Sequence, residues 1–327
     1  MLTLIKKILL LLLPLLLVTV SYIITDPFQS IRDHNVYLFT YLMLSRGDIS
    51  TKVYLKNIDK YKYDSFIFGS SRSCAHPSKE WGKYLSKDNV PYSFGAWNES
   101  IEGIYKRLRL IDSLKKPIKN VFILIDVDRT FQPSDGITWD HYLITGKSRY
   151  DYYMDDYLNY LKNPKLIFTS IDYSLFHQRR AYVENFVGMK SGDLDPVNND
   201  WEPNSEQRIQ SDSANYYKNS INKFYKRSPI PQISKSQIDV SKERYLKKIY
   251  FLFQKHNTKY KIVVAPLYDQ VAINPKDLSI ITGIFGKADV FDYSGVNSIT
   301  NNKFNYSSDV IHYRKKVGNL IFKTIYK

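Results

Sequence analysis

The sequence predicts an α/β fold, doubly wound about a mainly parallel sheet, with an inserted helical and loop region and an N-terminal transmembrane helix. Continuous apolar runs at residues 65–68, 120–127 and 260–267 have the composition of strands covered on both faces, as parallel sheets require. Helix-patterned segments fall between these runs, so strands and helices alternate. Residues 131–240 interrupt the alternation once, and it then resumes.

The chain has 327 residues, 43% apolar and 24% charged, enough for one or two domains with a substantial core. Residues 8–24 are seventeen residues without a charge, mostly leucine, behind Lys6 and Lys7. That length is the lower limit for a spanning helix. The paired lysines would hold the amino terminus in the cytoplasm and send the rest of the chain outside. No Ala-x-Ala-like site follows the run, so an uncleaved signal anchor over residues 1–25 is expected ahead of a cleaved signal peptide. Residues 26–60 read as a stalk or N-terminal extension, with an apolar, aromatic stretch at 37–44 and a short helix over 52–62.

The α/β domain is expected over residues 61–327. Its first strand, Ser65–Phe68, stops at Gly69, and Ser70-Ser71-Arg72-Ser73 follow before a helix over 77–85 with Pro77 in its first turn. A short strand over 90–94 ends at Gly95. Glu99 or Ser100 can cap the next helix, where Ile101, Ile104, Leu108 and Ile111 recur at helical spacing until Pro117. Residues 131–240 are rich in Tyr, Asn and Asp, with helix-like stretches at 152–161 and 213–225 and a polar, turn-rich stretch at 188–204; they read as an insertion or lid. A helix over 241–255 presents Tyr245, Ile249 and Leu252 on one side. After the strand at 260–267 come a helix at 278–285, a strand at 288–291 and a last helix over 314–326.

Lys and Arg number 47 against 32 Asp and Glu, a formal charge of +15 that favours anionic surfaces such as phospholipid headgroups, acidic polysaccharide or teichoic-type polymers. No zinc spacing, RNP-like motif or basic-region helix supports a nucleic-acid partner. The single cysteine, Cys74, excludes an intrachain disulfide and reads as a small buried residue. His34, His141, His177 and His256 lack ligand spacing, so no metal or other cofactor is expected, and His76 reads as an exposed loop residue.

Gly69-Ser70-Ser71 at the end of a strand puts a hydroxyl at the carboxyl edge of a sheet, where open α/β folds bind ligands. By itself the tripeptide also makes an ordinary turn. Asp309 and His312 stand three residues apart just before the last helix. A carboxylate on one ring nitrogen fixes the imidazole tautomer and leaves the other nitrogen as a base. A serine at the sheet edge would complete a nucleophilic triad.

With these residues the chain resembles the SGNH (GDSL-like) hydrolase superfamily, a three-layer, flavodoxin-like α/β architecture. The resemblance covers residues 60–327 in outline. It implies Ser71 as nucleophile in the block Gly69-Ser70-Ser71, His312 as base and Asp309 as its partner. It implies an oxyanion hole from Gly95 and the amide of Ser71, with Asn98 standing in for an asparagine that the family keeps after its third strand. Two positions depart from the family's pattern: Ser70 replaces an aspartate, and Ile125-Asp126-Val127-Asp128 replaces the third block. Arg72 and Asp128 are expected near substrate. Membrane-anchored relatives with Gly-Ser-Ser first blocks transfer acyl groups on envelope polymers. The resemblance therefore implies an extracytoplasmic O-acyltransferase or esterase acting on an envelope polysaccharide or anionic polymer, with a membrane protein as possible acyl donor. The alternative is a non-catalytic envelope binding or assembly module on the same fold. A membrane-tethered nuclease or phosphatase would need a metal constellation that the sequence lacks.

Overall fold

A computed structural model describes residues 2–32, 45–133, 140–178, 180, 182 and 192–327. The chain forms two compact units, Met1–Leu44 with Gly146–Ser191, and Ser45–Thr145 with Gly192–Lys327. The apolar stretch expected at 37–44 lies outside the described residues, as do 134–139 and 188–191 of the insertion.

The second unit is built on five parallel strands, β1 (Ser65–Phe68), β2 (Pro91–Ser93), β3 (Asn120–Ile125), β7 (Lys259–Val264) and β9 (Val290–Asp292), in the order β2-β1-β3-β7-β9. Counting only these strands, the order is 2-1-3-4-5, and the winding reverses between β1 and β3. The crevice outside the carboxyl ends of those two strands is where this topology binds ligands. All six residues of β3 are buried, as its uninterrupted apolar run requires. It pairs with β1 from Ser65 opposite Asn120, and with β7 from Asn120 opposite Lys259.

Helices α2 (Arg46–Tyr61), α4 (Ile101–Ser113) and α10 (Val240–His256) cover one face of the sheet. There Phe66 and Phe68 meet Phe94, and Tyr54 of α2 packs on Phe66 and Phe94. α3 (Ser78–Gly82) and α13 (Lys315–Ile325) lie over the other face, where Phe122 of β3 meets Trp81 and Phe322. Local chemistry sets the helix ends. Ser100 accepts from the Gly103 amide and Asp239 from the Lys242 amide, while Asn257 closes α10 in a left-handed conformation (φ 51°).

Shorter elements complete this unit. They are α5 (Tyr142–Thr145), the antiparallel hairpin of β4 (Gly192–Leu194) and β5 (Trp201–Pro203), α8 (Asn204–Ser211), α9 (Ser213–Ser220), the pair β6 (Gln232–Ile233) and β8 (Val271–Ala272), α11 (Pro275–Phe285) and α12 (Ser298–Asn301).

The first unit contains α1 (Leu2–Thr25), α6 (Arg149–Lys162) and α7 (Pro164–Phe176). Tyr22 packs on Tyr157 and Tyr160, and the hydroxyls of Thr19 and Ser21 bond those of Tyr157 and Tyr160 at 2.6 and 3.0 Å. Leu10 to Leu13 and Leu15 to Leu17 stay exposed. Among the described residues no helix is long and apolar enough to cross a membrane.

Residues 46–61 belong to the sheet-bearing unit, because Ile49, Val53, Tyr54 and Ile58 bury one continuous helical face. The insertion divides: Gly146–Ser191 joins α1, whereas the segment from Gly192 onward stays with the sheet.

Candidate active site

β1 delivers the chain to the crevice. A side chain at Gly69 would come within 2.9 Å of the Leu124 Cβ on β3, so only glycine lets the turn sit this close to the neighbouring strand. A 3-10 turn, Ser71–Ala75, follows immediately. Ser70 caps it: its Oγ accepts from the Arg72 amide at 3.2 Å and donates to buried Asp126 beyond β3. Ser70 thus reaches across from the end of β1 to an aspartate just after β3.

Ser71 opens the turn, and its Oγ lies 2.8 Å from His312 Nε2. His312 Nδ1 lies 2.7 Å from Asp309 Oδ2. Asp309 and His312 occupy a loop ahead of α13, closed at its base by an antiparallel bridge between Tyr306 and Tyr313. The loop turns through Val310, whose φ of 54° is left-handed and strained for a β-branched residue. Asp309 Oδ1 accepts from the Ser307 hydroxyl at 2.7 Å and from the amides of Ile311 and His312, each at 3.0 Å. Burial by itself would raise the Asp309 pKa, but the hydrogen bonds from His312 and Ser307 hold it well below the usual carboxylate range. Asp309 is therefore anionic at neutral pH and orients the ring for proton transfer at Nε2.

Arg72 is buried and meets Asp128, whose side chain stays exposed. Arg72, 5% exposed, donates from Nη1 and Nη2 to Asp128 at 2.7 and 3.0 Å. Its Nη1 is also 3.3 Å from Asp126, and its Nε donates to the Ile311 carbonyl at 2.9 Å. One guanidinium thus connects the Ser71 turn, the loop after β3 and the loop that carries His312. Two carboxylates at the end of β3 occupy the fork of Arg72, the side chain expected near substrate.

Gly95 sits against the nucleophile turn, and a Cβ there would come 2.5 Å from Ser73 Oγ. The flanking amides of Phe94 and Ala96 donate to the Ile67 and Gly69 carbonyls, so strand alternation turns the Gly95 amide away from β1. Asn98 follows in a left-handed conformation (φ 52°). His76 is fully buried rather than exposed, packed on Phe122, Tyr313 and Phe322, with Nε2 2.8 Å from the Tyr313 hydroxyl. Burial pushes its pKa down to about 3, so it stays neutral. Burial also pushes the Cys74 thiol up to about 12, which keeps it protonated.

Sequence reasoning missed the Ser70–Asp126 and Arg72–Asp128 links. The neighbouring of β1 and β3 at the reversal of winding was the signal that could have found them, since both loops leave the same edge. Among the described residues no group of three His, Cys, Asp or Glu side chains is arranged to hold a metal ion. No protein-family model matches the chain, and no curated protein is significantly similar to it in sequence.

Proposed function

We propose that the chain is an SGNH-like acyl-ester hydrolase or O-acyltransferase acting on a cell-envelope polysaccharide or polymer. The observation that supports this best is the hydrogen-bonded series Ser71–His312–Asp309, at 2.8 and 2.7 Å, at the carboxyl edge of a parallel sheet. In this reading His312 Nε2 takes the Ser71 proton as Oγ attacks an acyl carbonyl, and Asp309 stabilises the imidazolium. The amide of Ser71 and the side chain of Asn98 would receive the oxyanion, the Gly95 amide being turned away from β1. His312 then protonates the leaving alkoxide, and water or a sugar hydroxyl resolves the acyl-enzyme.

Association of α1 with a membrane surface, and a membrane protein as acyl donor, belong to the same proposal. The exposed leucines of α1 and the charge of +15 support it. A binding or assembly module is the second reading. It is favoured by Asp126, which stands in the third block without the family's asparagine and is engaged by Ser70 and Arg72. Turnover of a small aryl ester separates the two. The enzyme reading expects activity that disappears in Ser71→Ala and His312→Ala, and equal rates in all three proteins would overturn it.

A further inference from the structure

We infer that the cavity beside His312 is the acceptor subsite, and that it takes an uncharged or amino-bearing sugar unit rather than an anionic polymer. This rests on the acyl-transfer reading and narrows its acceptor. The cavity measures about 330 Å³ and is walled by the nucleophile turn, the β4–β5 hairpin with the start of α8, and the 307–315 segment. That volume suits a single sugar unit rather than a packed polymer segment, being near the lower end of small-molecule sites (~300–1,000 Å³).

The charge lining the cavity argues against an anion. Five carboxylates line it, from Glu80, Asp195, Asp200, Glu202 and Glu206, against three cationic side chains, Lys79, Arg314 and Lys315. Two of those cations are already paired with carboxylates of the wall, Lys79 with Asp195 at 2.5 Å and Arg314 with Glu206 at 2.9 Å. Glu80 is paired with Lys83 at 2.6 Å, which leaves Glu202 and Asp200 with Lys315 among the lining residues, and Asp200 accepts from the Ser78 and Lys79 amides. A uronate or phosphate entering here would meet a net negative wall despite the chain's overall positive charge. Sugar hydroxyls, by contrast, are donors that carboxylates accept.

Trp201 supplies the complementary surface. It comes from β5, lines the cavity, and its indole Nε1–H is screened from solvent with no acceptor among the described residues. The indole N–H is closed off from the cavity, so the ring is the surface Trp201 offers, and an aromatic wall supports the C–H face of a pyranose while the carboxylates accept its hydroxyls. For transfer, the sugar hydroxyl gives its proton to His312 Nε2 as its oxygen attacks the Ser71 ester. The Oγ–acyl bond breaks as the new ester forms, and His312 returns the proton to Ser71, with no net change in protons or electrons.

The test is calorimetric titration of full-length Ser71→Ala protein, which cannot turn over, with cellotetraose, tetraglucosamine and tetragalacturonate. The first two are expected to bind saturably, and tetragalacturonate at least tenfold more weakly. Adding Trp201→Ala should weaken cellotetraose at least tenfold, whereas Trp201→Phe, which keeps a ring in place, should weaken it only a few-fold. Equal or tighter binding of tetragalacturonate, no binding of any of the three, or unchanged binding in a folded Trp201→Ala protein would overturn the inference. Aryl-ester turnover of the native protein is read separately. Its absence alongside intact sugar binding would remove the acyl-transfer reading and leave a sugar site. Its presence without sugar binding would remove the acceptor site alone.

Discussion

Two buried arginines, Arg72 and Arg107, are each held by two carboxylates, and they serve different ends. Arg107, 1% exposed, donates from Nε to Glu99 at 2.7 Å, from Nη2 to Asp140, and from Nη1 to the Thr51 hydroxyl at 2.7 Å and the Gly47 carbonyl at 3.3 Å. Its partners lie on α2, ahead of α4 and ahead of α5, so it fastens the layer of helices to itself. Arg72 uses the same fork to fasten three loops that end at the reacting atoms. The same kind of ion cluster holds helices together in one place and, in the proposed function, aims the loops that carry Ser71 and His312 in the other.

Substitutions can separate these roles. The largest effect is expected at the triad, where Ser71→Ala or His312→Ala should lower aryl-ester kcat by ~10³-fold or more. Thermal unfolding should change little, since neither side chain belongs to either cluster. Next comes Arg107→Ala, which leaves Glu99 and Asp140 buried without their cation. It should destabilise the fold by ~3–5 kcal/mol in denaturant titration. Arg72→Lys keeps the charge but cannot hold Asp128 and the Ile311 carbonyl together. It should lower kcat about tenfold or more with a smaller loss of stability than Arg107→Ala. Arg72→Lys acting only on stability, or Arg107→Ala acting only on kcat, would erase the distinction.

Smaller effects test the surroundings of the nucleophile. Gly95→Ala would force Ser73 away and should cost ~1–3 kcal/mol of stability, with a fall in kcat, read by denaturant midpoint and ester assay. Acid should weaken the fold through His76. Its folded pKa is pushed down to about 3 by burial, so between the ordinary histidine value near ~6.5 and about 3 the unfolded chain binds the extra proton. Stability then falls as pH drops through that window, by on the order of 1 kcal/mol per pH unit. His76→Phe should flatten the slope. Asp309 adds a second acid-side loss. Its carboxyl is held below the usual range, so its contribution is complete above the ordinary carboxylate pKa and disappears as pH falls toward the depressed one.

The parts of the fold legible in the sequence were those set by local pattern. β3 and β7 read as strands because a strand covered on both faces needs an unbroken apolar run. α4, α10 and α13 read as helices from their apolar spacing. Ser71, Asp309 and His312 could be picked out because motif order and the strand edge pointed to the same place. What could not be read depended on pairing across the chain. The partner of Arg72 lies 56 residues away and that of His76 lies 237 away, so neither burial nor pairing shows in the local sequence. The same holds for α2, whose Arg46 is buried through bonds to Asn199. It also holds for the insertion, which no local signal divided at Gly192.

The central claim is that Ser71 is a nucleophile activated by His312. Intact-mass and peptide analysis after exposure to a fluorophosphonate tests it most directly. One adduct on Ser71 is predicted, absent in Ser71→Ala and formed at least a hundredfold more slowly in His312→Ala. No adduct, or one on Ser73 that is indifferent to His312, would contradict it.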